Sequence, residues 1–204
     1  MKVALVDYGA GNLRSVANAL RAIGVEPQLA GVPADLAGAT QLVLPGVGSF
    51  GDCMAQLAAR GLLEPIREWV AAGRPYLGIC LGYQILFEAS EETPGVAGLG
   101  VVRGTVRRFA DQPGLKIPHM GWNSVVPRRA GVGPFAGVGE EPYFYYVHSY
   151  FPVPTEDAVI AAETTYGGTT FAAAIELPNL FACQFHPEKS QDLGLRLLRN
   201  HLGR

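Results

Sequence analysis

The chain has 204 residues, 49% of them hydrophobic and 17% charged, with a formal charge of −2. A chain of this length buries a sizeable core without disulfides or metal. Its composition excludes a disordered polypeptide, and the lack of excess Lys and Arg excludes a nucleic-acid footprint. Cys53, Cys80 and Cys183 are odd in number and far apart, which points to a reducing cytoplasm rather than a disulfide framework. No apolar run approaches the roughly 18 residues of a membrane span, and Met1-Lys2 leads straight into a strand-like run, not a signal segment.

In chain order, Val3–Asp7 reads as a buried strand. Residues Asn12–Ile23 then carry Leu13, Val16, Leu20 and Ile23 at helical spacing, closed by Gly24. A second apolar strand, Gln41–Leu44, ends at Pro45-Gly46. Helices follow around Asp52–Ala59 and Glu64–Ala72, the latter with Pro65 early, where its missing N–H costs little. Pro75–Ile79 is the next strand and Leu81–Ala89 the next helix. The alternation predicts a parallel sheet with helices on both faces. The second half changes to short β-type runs: Val101–Phe109, Trp122–Val126, Tyr143–His148, Ala158–Thr165, Thr170–Glu176 and Leu180–Phe185. Gly167-Gly168 marks a hairpin turn, and Asp192–Leu202 a closing helix. With no repeat, linker or charge block, residues 1–204 read as one α/β domain. Its expected architecture is a central, mostly parallel mixed sheet flanked by helices, with added antiparallel strands in the second half.

Gly78-Ile79-Cys80-Leu81-Gly82 has the form G-x-nucleophile-x-G between a strand and a helix. In that setting the chain makes a tight, strained turn that presents the central side chain, and the flanking glycines give it room. The sulfur then lies at a helix start, where free N–H groups favour a thiolate. The same pentapeptide also fits a buried structural cysteine. A thiolate working in acyl transfer needs a base and a group that orients it. Gln184-Phe185-His186-Pro187-Glu188-Lys189-Ser190 supplies both at a strand end: Pro187 biases His186 toward extended backbone, and Glu188, two residues on, can fix the imidazole tautomer. His119 and His148 lie in or beside strands, where a hydrogen-bonded structural role fits as well as catalysis, and His201 is expected at the surface. Pro45-Gly46-Val47-Gly48 can turn backbone N–H groups toward an oxyanion, complementing the N–H of Leu81, although ordinary turns give the same tetrapeptide.

Taken together, P-G-x-G, G-I-C-L-G-x-Q and F-H-P-E, in that order, resemble the class I (triad) glutamine amidotransferases. Asp7-Tyr8-Gly9-Ala10-Gly11-Asn12, Pro45–Phe50, Pro118-His119-Met120-Gly121-Trp122-Asn123 and Val147-His148-Ser149-Tyr150 narrow the resemblance, end to end, to glutaminase subunits of imidazole glycerol phosphate synthase. Tyr83 stands where many relatives have His or Met. The resemblance implies that Cys80 attacks the glutamine side-chain amide, His186 moves the proton and Glu188 orients His186. It also implies that Gln84 and Glu92 hold the glutamine, with Ser149 and Tyr150 near its α-carbon groups. The alternatives are an ordinary helix-surface amide for Gln84 and a solvated charge for Glu92. No cofactor or metal is implied. The implied partner is a cyclase subunit with a (βα)8 barrel, which Gly11, Asn12, Trp122, Tyr145 and Lys189 would face. Local packing is the other role open to each of them. If the Val47 N–H points away at rest, Gly46 and Gly48 make its reorientation inexpensive, and the isolated subunit is expected to be slow until the partner binds. A glutaminase subunit of an anthranilate-type synthase, a related Cys hydrolase, and a non-catalytic regulatory domain of the same fold are the competing readings.

Overall fold

The computed structural model describes residues 1–203. Its first half runs β1 (Val3–Val6), α1 (Leu13–Ala22), β2 (Pro27–Ala30), β3 (Gln41–Gly46), α2 (Phe50–Ala59), α3 (Leu63–Ala71), β4 (Tyr76–Cys80) and α4 (Leu81–Gln84). The second half contributes β5 (Ala89–Ser90), β6 (Gly104–Arg108), β7 (His119–Ser124), β8 (Val126–Pro127), β9 (Tyr143–His148) and β10 (Tyr150–Pro154). It continues with β11 (Ile160–Tyr166), β12 (Thr169–Leu177), β13 (Leu180–Cys183) and α5 (Gln191–Leu202). Eight strands form the main sheet in the order β2-β1-β3-β4-β13-β12-β11-β8. The first five are parallel and the last three antiparallel. Gly167 and Gly168, both at positive φ, turn β11 into β12, as the sequence predicts.

Alternate residues of the parallel strands feed two cores, because successive strand side chains point to opposite faces. Val3 and Leu5 pack with Val16 and Leu20 of α1 and with Leu197 and Leu198 of α5. Ala4 and Val6 pack with Phe50 and Leu57 of α2 and with Ile66 and Trp69 of α3. Full burial of each such Leu, Ile or Phe contributes about 1.5–3 kcal/mol, so the two layers hold β3, β4 and β13 rigidly between them. Ser49 starts α2 by accepting the Asp52 N–H at 3.2 Å, and Gly203 ends α5 in the left-handed region at φ 68°.

Three expectations are corrected. The helix expected over Leu81–Ala89 stops at Gln84, because the carbonyls of Ile85, Leu86, Phe87 and Glu88 accept N–H groups from residues 98–102. That distant segment outcompetes the helix for its own acceptors. Three strands, β2, β5 and β10, have no counterpart in the sequence reading, and two of them carry proline. Strand β2 begins on Pro27 and pairs with β1 at the sheet edge, and β10 holds Pro152 and Pro154 at the edge of the small β10-β6-β5 sheet. Edge positions are where a strand tolerates proline. Finally, His201 is only partly at the surface: its ring lies 5.7 Å from that of Phe181 with Nε2 buried, and burial holds its pKa down at about 4. Among the described residues no helix is long and apolar enough to cross a membrane.

Candidate active site

Cys80 ends β4 and begins α4 with φ 54° and ψ −105°. A non-glycine residue there stores about 1–3 kcal/mol of strain, which the surroundings must hold in place. The glycines explain how they do. A Cβ on Gly82 would collide with the Leu44 carbonyl oxygen of β3, one on Gly78 would sit 2.6 Å from the Gly82 oxygen, and one on Gly46 2.6 Å from Leu81 Cβ. Helix α4 therefore rests directly on the backbone of β3 and β4. The buried Tyr76 hydroxyl adds a 2.7 Å hydrogen bond to the Gly82 carbonyl.

Parallel pairing brings the remaining groups to the same sheet edge. Gly46 is the register partner of Cys80, and Cys183, at the end of β13, is that of Ile79. Three residues after Cys183, His186 donates its backbone N–H to the Tyr145 carbonyl at 2.8 Å. Ser190 Oγ then clamps the turn, donating to the His186 carbonyl at 2.7 Å and accepting the Tyr145 N–H at 3.0 Å. His186 Nδ1 lies 2.7 Å from Glu188 Oε1, with side chains 1% and 0% exposed. The same carboxylate oxygen accepts from Asn12 Nδ2 at 3.1 Å. His186 Nε2 is buried without a hydrogen-bond partner, and the Cys80 sulfur is near enough to act on the charge of the ring. Burial opposes a charge on His186, but the sulfur, by charge and hydrogen bond, and then Glu188 together push its pKa up to about 10. The arrangement favours a protonated imidazole at His186.

In front of the sulfur lies a cavity of about 340 Å³, lined by Val47, Gly48, Cys80, Leu81, Gln84, Glu92, Val147, His148, Ser149 and Lys189. A glutamine side chain fits that volume. Most of the predicted binding residues thus share one opening, with His186 and Glu188 buried behind the sulfur. Gln84 is no surface amide: it is 5% exposed, and its two N–H groups go to the Tyr150 carbonyl at 2.9 Å and to Gln184 Oε1 at 3.0 Å. Nor is Glu92 merely solvated, since its Oε2 accepts the Phe50 N–H at 2.7 Å and so fastens its turn to the start of α2. Tyr150 does not line the cavity, and it contributes its carbonyl rather than its ring. The Tyr8 hydroxyl lies beside the end of β3, buried without a hydrogen-bond partner and kept protonated by that burial.

The predicted partner-facing residues divide in two. Trp122 and Tyr145 are register partners on the β7–β9 ribbon, edge to face at 6.2 Å, with Lys189 Nζ 5.5 Å above the Tyr145 ring. Trp122 is 47% exposed and Met120, on the same face of the ribbon, 61%. Asn12 instead reaches inward to Glu188, which the sequence did not disclose, and Gly11 precedes it at φ 115°. The sequence reading also missed Gln184, fully buried with Nε2 3.6 Å from the Cys80 sulfur. The available signal was its place at the head of Q-F-H-P-E, two residues before the histidine.

A family model described as glutamine amidotransferase class-I matches residues 4–203. The imidazole glycerol phosphate synthase subunit HisH of Thermosynechococcus vestitus is 48% identical, covering 97% of this chain and 94% of that protein. The protein of the same name from Syntrophotalea carbinolica is also 48% identical, over 97% of this chain and 98% of its own. Among solved structures, a glutamine amidotransferase superposes with TM-score 0.77 at 21% identity, covering 98% of this chain and 97% of that one. PurLQS from Thermotoga maritima superposes with TM-score 0.77 at 23% identity, covering 99% and 97%. The structural likenesses establish the fold. The family match over nearly every residue, together with relatives at almost half identity, shows that the chain belongs to the class-I glutamine amidotransferases.

Proposed function

We propose that this chain is the glutaminase subunit of imidazole glycerol phosphate synthase, acting as a single domain with Cys80, His186 and Glu188 as its catalytic triad. The observation that carries this is the buried 2.7 Å His186–Glu188 contact, with the other imidazole nitrogen left free and the Cys80 sulfur at the end of β4 near enough to raise the charge of the ring. In the reaction the Cys80 thiolate attacks the side-chain carbonyl carbon of glutamine and forms a C–S bond, and the carbonyl oxygen becomes an oxyanion. His186, already carrying a proton, gives it to the departing nitrogen as the C–N bond breaks, so that ammonia rather than an amide ion leaves. Water then attacks the glutamyl thioester with His186 as base, releasing glutamate and restoring the thiol. Glu188 holds the imidazole with Nδ1–H toward itself and Nε2 toward the reacting atoms.

The Leu81 N–H supports one side of the oxyanion. The Val47 N–H is the second donor once its peptide presents it to the cavity. Adding one such donor is worth about 10²–10³-fold in turnover, enough for a partner to control the enzyme by moving one peptide. Ammonia is mostly protonated at neutral pH and lost as a nucleophile if it escapes. It therefore passes to a cyclase subunit with a (βα)8 barrel, docked over Trp122, Tyr145 and Lys189. There it completes imidazole glycerol phosphate and the aminoimidazole carboxamide ribonucleotide.

The test is glutamate release from glutamine, with and without the barrel cyclase, in the parent and in Cys80→Ala. Partner-stimulated release that is lost in Cys80→Ala is expected. Equal release from both proteins would refute the assignment of Cys80, and restoration by an anthranilate-type synthase instead would refute the choice of partner.

A further inference from the structure

Three motifs singled out in the sequence do not enter the reaction steps above: the leading glutamine of Q-F-H-P-E, and the polar residues of H-M-G-W-N and V-H-S-Y. In the fold they join into one buried chain of hydrogen bonds that ends on the nucleophile. Gln184 Nε2 donates to the Cys80 sulfur at 3.6 Å, and Gln184 Oε1 accepts from Gln84 Nε2 at 3.0 Å. The second N–H of Gln84 goes to the Tyr150 carbonyl at 2.9 Å. That carbonyl also accepts from His148 Nδ1 at 2.8 Å, and His148 Nε2 lies 3.0 Å from His119 Nδ1. His119 Nε2 lies 3.2 Å from Asn123 Nδ2, which also donates to the Thr165 carbonyl at 3.0 Å.

Every direction in this chain is forced. Burial holds His119 down at about 4 and His148 at about 3, so both rings are neutral, each with one donor nitrogen and one acceptor. A carbonyl only accepts, so His148 carries its proton on Nδ1 and accepts at Nε2. His119 must then donate from Nδ1 and accept at Nε2, where it meets the Asn123 amide. On the other side, the Tyr150 carbonyl obliges Gln84 to present its NH2 group. A flipped Gln184 would oppose that NH2 with its own, leaving two donors face to face. The only satisfied arrangement points a Gln184 N–H at the sulfur.

We propose that Gln184 is a positioning residue for the nucleophile, holding the Cys80 sulfur with an amide N–H whose orientation is set by the chain running through Gln84, Tyr150, His148 and His119 to Asn123. The proposal rests on Cys80 being the nucleophile. The group donates to the sulfur in both protonation states but more strongly to the anion, the form that attacks the substrate. The other titratable groups around the sulfur are His186, with Glu188 behind it, the Tyr8 hydroxyl and Cys183 thiol, both kept protonated by burial, and, across the cavity, Glu92, Lys189 and the neutral His148.

The discriminating variant is Gln184→Glu, which keeps the shape and the oxygen that accepts from Gln84 but replaces the donor on the sulfur with a second oxygen. The pH profile of Cys80 alkylation by iodoacetamide, followed on the full chain by peptide mass spectrometry, is expected to move up by about 1 pH unit or more, the worth of a hydrogen bond to a charged group. Glutamine turnover with the partner should fall about tenfold or more, with KM changed little. Gln184→Leu should shift the profile in the same direction by less. A profile that stays with the parent's in Gln184→Glu, whatever the change in thermal stability, overturns the proposal. If neither variant folds, the parent decides it: the Gln184 side-chain amide resonances should titrate together with Cys80 reactivity, and resonances that ignore it overturn the proposal. Loss of activity in Cys80→Ala tests the nucleophile separately, so the two failures cannot be confused.

Discussion

Replacing Glu188 by Gln removes one negative charge from behind His186 and leaves the shape almost unchanged, and the structure sets how large the effect should be. Glu188 Oε1 accepts from both His186 Nδ1, at 2.7 Å, and Asn12 Nδ2, at 3.1 Å. Two donors converge on that position, so the carbonyl of the introduced amide is held there and its NH2 falls where Oε2 now lies. The imidazole keeps the correct tautomer, and the full loss of general acid–base catalysis, about 10²–10⁴-fold, is not expected. What disappears is the charge that steadies the imidazolium. A hydrogen bond to an ion is worth about 1.5–3 kcal/mol against about 0.5–1.5 for a neutral one. The difference of about 1–2 kcal/mol corresponds to roughly 5–30-fold in turnover. The new NH2 is also buried where Oε2 has no partner, which should lower folding stability by about 1–3 kcal/mol. Turnover is read from glutamate release at saturating glutamine with the partner present, and stability from urea unfolding. Combining the change with Asn12→Ala frees the amide to rotate and should drive the loss toward the larger range. Wild-type turnover in Glu188→Gln, or no further loss in the double variant, would refute this account.

In Cys80→Ala, His186 loses its largest source of charge stabilisation while burial still opposes the proton. The imidazole titration, followed by NMR, should fall from about 10 by several units. A raised histidine adds stability that is complete below its ordinary value of 6.5 and fades as pH rises through about 10. The parent should therefore lose unfolding free energy across that window, and Cys80→Ala should lose less. Gly82→Ala puts a methyl group into the Leu44 carbonyl. A thermal shift of roughly 2–10 °C downward is expected, from about 1–3 kcal/mol of overpacking, together with loss of Cys80 alkylation at its normal rate. Trp122→Ala should weaken binding of the barrel partner by about 30-fold, the mark of a buried aromatic anchor. It should leave the melting temperature of the isolated chain unchanged, because the ring is half-exposed there.

The legibility of this chain follows the range of the forces involved. Strands β1, β3, β4 and β13 and helices α1, α2, α3 and α5 were readable because each buries a periodic set of side chains, a property of the local sequence. The turns that carry Cys80 and His186 were readable because their steric demands are local too: glycines around Cys80 and a proline after His186. What escaped was decided by distant partners. Residues 85–88 leave the helix because residues 98–102 take their carbonyls. Pro27–Ala30 becomes a strand only because β1 offers an edge. Asn12 reaches Glu188 across 176 positions of sequence, and Gln184 reaches Cys80 across 104. No periodicity in either segment could announce those contacts.

The β7–β9 ribbon shows why such long-range residues recur beside one another in short motifs. In its register, Met120 opposes Val147 and Trp122 opposes Tyr145, while His119 opposes His148 and Asn123 opposes Phe144. Strand side chains alternate, so the first two pairs share one face and the other two the opposite face. One face is the exposed aromatic surface beside Lys189, and the other holds the neutral histidines of the buried chain leading toward the sulfur. A slip of one residue would exchange the two sets and bury Trp122 in place of the imidazoles. The ribbon is pinned against that slip where it meets the turn that carries His186, by the Tyr145 carbonyl on the His186 N–H and the Ser190 hydroxyl on the Tyr145 N–H. H-M-G-W-N and V-H-S-Y therefore have to be read as two-sided strands: odd positions of β7 serve the interior, even positions serve the surface, and one register fixes both.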